Sequence, residues 1–544
     1  MAHRIILATL NAKYIHASLG LRYLLANMQR HGGADLQAHT VLQEFTINRP
    51  AQGIVDELWA ELSACAQDAH AVLVVGFGVY IWNVVQTCEV VCLLKAQHPR
   101  VKVVLGGPEV SHELDTQPIV ALADYVITGW GDVSFPRLCK ALVHGPRPLM
   151  KVIAGEQPAL DDIDFPYAHY SAQDLAHRVL YVEASRGCPF KCEFCLSSLD
   201  KTAWAFDLDR FLAELDALYA RGARTFKFVD RTFNLKIDAS VRVLQFFLDR
   251  LPPAGQKPDL FLHFEVIPDH LPDRLKAMIA LFPAGVLQFE VGIQSFNPDV
   301  QQRISRRQDN DKTEANVHWL VTQSHAHLHT DLIFGLPGES WQSFGEGFDR
   351  LWALRPHEIQ LGVLKRLRGT PLANRSMVPG QDPDGLDYEP LPPYTVRSSA
   401  AVSAQEVQTF VRLARYWDMV ANSGRFTATM DLLMQGPSAF AAFADVADYL
   451  WVQLNATSGI TPDQLVDSLF EYLCGPKGCD PALARAALLA DYLASGAHAN
   501  PKALHGLLPK RMARGGAALA SGGAQRQQRH QASQPVPATA ADAA

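Results

Sequence analysis

Ser185-Arg186-Gly187-Cys188-Pro189-Phe190-Lys191-Cys192-Glu193-Phe194-Cys195 is a Cys-x3-Cys-x2-Cys loop that follows directly on the apolar run Arg178–Ala184. Three thiolates on so short a loop can hold three corners of a four-iron cubane. Such clusters ordinarily take four cysteines, so a missing fourth leaves one iron open to an outside ligand. Gly187 and Pro189 shape the turn around the first sulfur, and Phe190 and Phe194 can shield the group from water. The spacing alone also suits a zinc ion completed by His169 or His177. Position favours iron, because the loop stands after a first strand, at the face where barrel enzymes carry their chemistry.

Five further strand patterns follow that loop: Thr225–Val229, Leu260–Val266, Val286–Val291, Thr330–Phe334 and Glu358–Leu364. Helical stretches such as Leu208–Ala220 and Ala239–Leu251 separate them. With Arg178–Ala184 as the first strand, the series predicts a partial or closed parallel (β/α)6 barrel over residues 176–400.

Upstream, Arg4–Leu10, Ala38–Phe45, Ala71–Phe77, Val101–Leu105 and Asp124–Thr128 read as strands. They alternate with the amphipathic segments Leu19–Arg30, Ile54–Ala66 and Val84–Gln97. That alternation predicts a doubly wound, flavodoxin-like (Rossmann-type) parallel sheet over 1–145. Gly76 and Gly78, Gly106 and Gly107, and Gly129 and Gly131 stand just past strand ends. Ligands of open α/β sheets bind at that edge, so these glycines either admit a large ligand or are ordinary βα turns.

Residues 146–175, which include the proline- and aspartate-bearing stretch Pro148–Tyr170, read as a linker. From 401 to 505 strand signals vanish, and Val407–Ala421, Ser438–Gln453 and Pro481–Ser495 predict a small all-α domain. The remainder, 506–544, is rich in Ala, Gln, Gly and Ser, and is expected to be a mostly disordered tail.

The net charge of -7 argues against a nucleic-acid surface, which usually shows a basic stripe. The apolar run Ile5–Leu10 is too short for a signal peptide, and Ala71–Trp82 falls short of the ~20 residues that span a bilayer. A cytoplasmic protein without membrane insertion is expected. In that compartment the nine cysteines are reduced thiols, and a tight group of them points to metal.

These residues resemble the radical S-adenosylmethionine (SAM) superfamily, whose signature is a Cys-x3-Cys-x-aromatic-Cys loop after the first strand of a six-stranded partial barrel. The resemblance implies that Cys188, Cys192 and Cys195 hold a four-iron four-sulfur cluster that cleaves SAM reductively. Phe228-Val-Asp-Arg-Thr-Phe-Asn234 resembles the strand end that receives the SAM amino group, implying Asp230. His263-Phe-Glu-Val266 ends the third strand and brings Glu265. Glu290-Val-Gly-Ile-Gln-Ser295 resembles the segment lining the SAM ribose and carboxylate, implying Glu290, Gln294 and Ser295. Arg306, or Arg307 beside it, can pair with the SAM carboxylate. Gly335-Leu-Pro-Gly-Glu339 resembles the turn that packs beside the adenine.

A flavodoxin-like domain ahead of such a barrel resembles the cobalamin-binding subfamily of class B methyltransferases and anaerobic cyclases. Gly106-Gly-Pro-Glu109 and Gly129-Trp-Gly-Asp132 match its strand-end loops, implying cofactor contacts at Gly106, Gly107, Gly129 and Gly131. Trp130 replaces the first acid usual in the second loop, leaving Asp132. The Asp-x-His-x-x-Gly motif that supplies histidine to cobalt is absent, since Asp68-Ala-His70 lacks the glycine. Asn11-Ala-Lys-Tyr-Ile-His16 follows the first strand, so Lys13 and His16 are either solvated helix-entry residues or cofactor contacts.

The resemblance implies methyl transfer from cobalamin to an unactivated carbon of a small-molecule or unknown substrate, with flavodoxin or ferredoxin as electron donor. Radical cyclisation or ring rearrangement occurs on the same architecture. A tRNA methylthiotransferase would need a second cysteine group, but Cys65, Cys88, Cys92 and Cys139 fall mainly on predicted helices. A redox- or cobalamin-responsive regulator is the non-enzymatic rival. His325, His327 and His329 read as polar strand or surface positions, and Cys474 and Cys479 as a turn between helices.

Overall fold

The computed structural model describes residues 2–253, 255–375, 382–497, 500–508 and 530. The chain divides into two compact units. One comprises Met1–Arg231, Lys365–Asp382 and Tyr388–Thr395; the other comprises Thr232–Leu364, Pro383–Asp387 and Val396–Ala544.

In the first unit, β1 (His3–Asn11), β2 (Thr40–Thr46), β3 (Val72–Gly78), β4 (Lys102–Gly106), β5 (Tyr125–Thr128) and β6 (Val152–Ala154) form one sheet. Its order is β2-β1-β3-β4-β5-β6, and every pairing is parallel. A parallel sheet is covered on both faces, and its strands therefore read as unbroken apolar runs. All seven residues of β3 are buried, for this reason. Along β1 the alternation sends Ile6, Ala8 and Leu10 into one core with the helices Ala51–Ala66 and Val84–Gln97. Ile5 and Leu7 enter the opposite core with Leu21 of the helix Leu19–Asn27 and with Phe135 and Leu138 of the helix Ser134–His144. The doubly wound sheet read from the sequence is present.

Two local departures have physical causes. The strand β6 lies in the stretch read as linker; it spans three residues, one of them the exposed Val152, so it leaves no periodic signal. The first helix ends at Asn27 and continues as a π-turn over Met28–Gly32. Asn27 uses its side-chain amide to pair with both backbone groups of Asp164, at 2.9 and 3.1 Å, and Arg30 binds Asp162 and Asp164. Asp162 and Asp164 are thereby fastened to this turn.

Two more parallel strands, β7 (Leu180–Val182) and β8 (Thr225–Phe228), also belong to the first unit, with Phe226 opposite Leu180 and Phe228 opposite Val182. The second unit holds β9 (Phe261–Val266), β10 (Leu287–Gln294), β11 (His327–Phe334) and β12 (Glu358–Val363), each parallel to the next. All six strands expected of a barrel are thus formed. A bulge between Gly292 and Gln294 shifts the register of β10 and leaves Gln294 at φ 72°.

The C-terminal segment of the second unit is helical, as expected. Its helices are Ala404–Val420, Thr427–Leu433, Ala439–Leu454, Pro462–Cys474 and Pro481–Ala494. Ser403 with Glu406, and Thr461 with Gln464, form capping boxes that satisfy the free N–H groups of two of them. The indole of Trp417, fully buried, donates to the Ile359 carbonyl at 2.8 Å. Of the expected tail, 509–529 and 531–544 lie outside the described residues.

Candidate functional site

In the sheet order β2-β1-β3 the chain reverses direction of travel across the sheet, and a crevice opens outside the strand ends at such a point. A cavity of about 450 Å³, open to solvent on one side, lies at this edge of the first unit. Gly76 and Gly78 of β3, Gly106 at the end of β4 with Gly107 after it, and Gly129 and Gly131 after β5 line it. Arg186, Gly187, Ser197 and Asp200, which flank the three cysteines, line the same cavity.

Not every glycine is small for a ligand's sake. A Cβ on Gly76 would lie 2.6 Å from the Phe135 ring, and one on Gly107 2.4 Å from the Val79 carbonyl. Those two positions are dictated by the protein's own packing. At Gly129 nothing stands within 4 Å, and its φ of 72° explains the residue by backbone geometry.

Cys188 and Cys192 are buried and Cys195 is half-buried. The loop that carries them is held by its own backbone. The Cys188 N–H donates to Asp200 at 2.8 Å, and the Ser198 hydroxyl donates to the carbonyls of Cys192 and Cys195 at 2.8 and 2.7 Å. Gly187, at φ 88°, lets the Asp200 carbonyl come so close that a Cβ would sit 2.9 Å from it. Burial pushes the Cys188 thiol up, and the neighbouring Cys195 and Cys192 add to the rise. Such mutual influence requires three sulfurs in one neighbourhood, which is what a polynuclear cluster needs. Among the described residues, Cys188, Cys192 and Cys195, with or without His169 or His177, do not form a group of three or more donors all within 4.8 Å of one another. Ligands of one zinc ion, each ~2.0–2.3 Å from it, would be that close. The donor set fits a cluster better than a single ion.

Arg186 joins the cysteine loop to the sheet edge. Its guanidinium donates to both Asp132 oxygens at 3.0 and 3.3 Å and to Glu183 at 2.7 Å. Tyr23, Trp130 and Phe206 surround it, with ring centroids 4.3, 4.9 and 5.6 Å away. Burial opposes its charge, yet Glu183 and Asp132 outweigh burial and hold it protonated. Asp132, the acid left in the Gly129-Trp-Gly-Asp132 loop, is therefore neutralised by protein.

Asp230 accepts from the Ala184 N–H at 3.0 Å and the Ser185 hydroxyl at 2.5 Å, four and three residues before the first cysteine. Burial pushes its carboxyl up to about 7 in spite of those bonds, and Glu183 adds to the rise. Arg231, next to it, lines the cavity.

The other expected SAM contacts lie in the second unit. Glu265 is half-buried on β9. Glu290 on β10 pairs with the His263 imidazole at 3.0 Å. Gln294 sits on the bulge, and the Ser295 hydroxyl donates to Glu339 of the Gly-Leu-Pro-Gly-Glu turn. Arg306 donates to the Gly292 carbonyl and, at 3.0 Å, to Gln308, so the bulge and this arginine are adjacent; Arg307 is exposed. Arg306 and Arg307 both face a shallow cavity with Asp269 and Asp309.

The structure also places the remaining residues singled out in the sequence. His16 bonds the Tyr181 hydroxyl at 2.7 Å, Lys13 is exposed, and neither lines the cavity. His70 is exposed in the turn before β3, at the opposite end of that strand. No histidine among the described residues lines the cavity, in keeping with the missing Asp-x-His-x-x-Gly motif. Cys65, Cys88, Cys92 and Cys139 lie on three separate helices, so they form no second ligand loop. His327 is buried against Glu358 at 3.0 Å, which holds that carboxyl down at about 2 despite burial.

Residues 5–139 match the B12 binding domain, 182–351 the Radical SAM superfamily, and 384–529 a protein of unknown function family, DUF4080. The chain is similar to an uncharacterized methyltransferase, PH0819, of Pyrococcus horikoshii, with 31% identity over 31% of this chain and 42% of that protein. It is similar to the cobalamin-dependent radical SAM methyltransferase TokK of Streptomyces tokunonensis, with 23% identity over 54% of this chain and 47% of that one. The chain thus spans less than half the length of these curated relatives. In fold it resembles the cobalamin-dependent S-adenosylmethionine radical enzyme OxsB, solved with aqua-cobalamin and S-adenosylmethionine, at a TM-score of 0.56 and 13% identity. That likeness covers 90% of this chain and 80% of the other. Among the described residues no helix is long and apolar enough to cross a membrane.

Proposed function

The chain belongs to the radical SAM superfamily, in the branch that carries a B12 binding domain, and from that premise we propose that it cleaves S-adenosylmethionine reductively and transfers a methyl group from cobalamin to an unactivated carbon. One observation carries the reading. A single cavity is walled on one side by the glycine loops of the doubly wound sheet and on the other by residues that flank the three cysteines.

Cys188, Cys192 and Cys195 would hold the four-iron cluster, and the loops at Gly106, Gly107, Gly129 and Gly131 would border the corrinoid. When bound, these groups supply an electron for SAM cleavage and a transferable methyl group. The chain's own residues position and shield. Arg186 fixes the cysteine loop against the sheet edge, and Tyr23, Trp130 and Phe206 keep water from its charge pair with Asp132. Asp230 orients the strand end that opens into the cysteine loop, and Glu265, Glu290, Gln294, Ser295 and Arg306 supply polar groups toward SAM. The substrate is a small molecule, a flavodoxin or ferredoxin delivers the electron, and the protein works in the cytoplasm.

Anaerobic purification with cobalamin supplied, followed by iron and cobalt analysis and assay for deoxyadenosine after dithionite reduction, tests the reading. Iron and cobalt together with SAM cleavage are expected. Iron without cobalt would remove methyl transfer and leave the radical chemistry, whereas reduced, iron-loaded protein that leaves SAM intact would overturn the enzyme reading.

A further inference from the structure

A second set of paired charges stands outside the cavity, on the segment Lys365–Asp382 of the first unit. Arg368 donates from Nε to Glu109 at 2.9 Å, from Nη1 to Glu113, and from Nη2 to the Tyr394 hydroxyl at 2.9 Å. That hydroxyl in turn donates to Glu109 at 2.9 Å, and Arg366 donates to Glu113 at 2.6 Å. Two guanidinium groups balance two carboxylates, and none of the four side chains is more than 13% exposed. Gly369 closes the contact, since a Cβ there would lie 2.3 Å from the His112 ring.

The same segment reaches the cysteine loop. The Leu372 N–H donates to the Glu193 carbonyl at 3.0 Å, and Arg375 pairs with the Glu193 carboxylate at 3.0 Å. Glu193 stands between Cys192 and Cys195, while Glu109 follows Gly107 of the cavity wall by two residues. Between these two anchorages, the buried Thr370 hydroxyl caps the short turn Pro371–Arg375 through the Ala373 N–H at 3.3 Å.

We propose that residues 366–375 form a clamp that holds the Glu109–Glu113 loop and the cysteine loop in a fixed relation, with Arg368 and Arg375 as positioning residues. The meaning of the two loops rests on the proposed function; the clamp itself stands on protein contacts. Glu113 shows what the clamp sustains. It is a non-glycine residue at φ 53°, a conformation that persists only where the surroundings over-determine it, and Arg366 and Arg368 both grip its carboxylate. Loops of this kind otherwise open at little cost in free energy.

Hydrogen exchange on the full chain tests the clamp without any cofactor. Arg375→Gln is expected to speed exchange about fivefold in residues 107–113, which Arg375 does not touch, as well as in 188–200. Arg368→Gln is expected to do the same in 188–200, with β1 and β3 unchanged. Acceleration confined to the loop whose contact was removed would overturn the proposal. If Arg368→Gln loosens β1 and β3 too, Tyr394→Phe, which keeps every charge, decides by the same criterion. Titration with cobalamin adds a second reading, with Arg375→Gln weakening uptake about fivefold. Wild-type protein that takes up no cobalamin would count against the proposed function, while the exchange data would still decide the clamp.

Discussion

The guanidinium of Arg186 meets both oxygens of Asp132, at 3.0 and 3.3 Å, across 54 residues of sequence. One partner begins the turn into the cysteine loop and the other ends the loop after β5. Removing Arg186 would strand Asp132 and Glu183 as unpaired buried acids. Arg186→Gln is therefore expected to destabilise the protein by about 3–5 kcal/mol in urea unfolding. Arg186→Lys should recover only part of this, because an ammonium cannot meet two oxygens in one plane. A loss below ~1 kcal/mol for the glutamine variant would mean that the pair is not desolvated in solution.

Asp230 makes stability depend on pH in an unusual direction. Its carboxyl is raised to about 7, so the folded state binds a proton more tightly than the unfolded chain does. That contribution is fully present below the unfolded value of about 4 and is lost as pH rises through about 7. Asp230→Asn cannot titrate. Its stability relative to wild type should improve by on the order of 2 kcal/mol between pH 5 and pH 8. Parallel thermal melts at the two values would show it, and a difference independent of pH would refute the assignment.

Much of the fold was legible because buried parallel strands read as continuous apolar runs, and the helices Val84–Gln97 and Leu208–Ala220 form over the residues their periodicity predicts. The strand expected at Thr330–Phe334 begins three residues earlier because His327, polar by composition, is buried by pairing with Glu358. The three cysteines were legible as a local motif. Arg186 lies inside that motif, but no local signal marks its role, which depends on Asp132, Tyr23 and Trp130, all distant in sequence. The clamp is hidden likewise: Arg368 and Glu109 are 259 residues apart, and the segment carrying Arg368 falls within the residues whose pattern predicts the barrel.

A buried quartet fastens the helix Ala172–His177 to the sheet domain. Arg22 bonds Glu44 and Asp174 at 2.8 and 2.9 Å, and Arg178 bonds Glu44 at 2.6 Å and Asp174 at 3.3 Å. Burial pushes both carboxyls up, but Arg22 and the N–H donors of Ser18 and Ser171 outweigh it and hold both below the usual range. Carboxyls lowered by folding add stability above their unfolded values, and this is lost as pH falls through the folded ones. Arg22→Met is thus expected to cost about 3–5 kcal/mol above pH ~5, with the gap to wild type narrowing below pH ~4. Acid titration of both proteins by circular dichroism measures that gap, and a constant gap would count against the quartet.

Four cysteine variants and two histidine variants separate a cluster from the alternatives. Replacing Cys188, Cys192 or Cys195 singly by Ala should abolish iron binding on anaerobic reconstitution while changing stability by less than ~1 kcal/mol, because each loop position is held by backbone bonds. Cys139 is the control. It is wholly buried on the helix Ser134–His144, and burial pushes its thiol far up, so it packs as a small apolar group. Cys139→Ala should therefore lower stability by about 1 kcal/mol and retain all iron. His169→Ala and His177→Ala should also retain it. Loss of metal in either histidine variant, with zinc recovered in place of iron from the wild type, would replace the cluster with a single-ion site. Retention of iron after removal of any one of the three loop cysteines would show that the ligand set lies elsewhere.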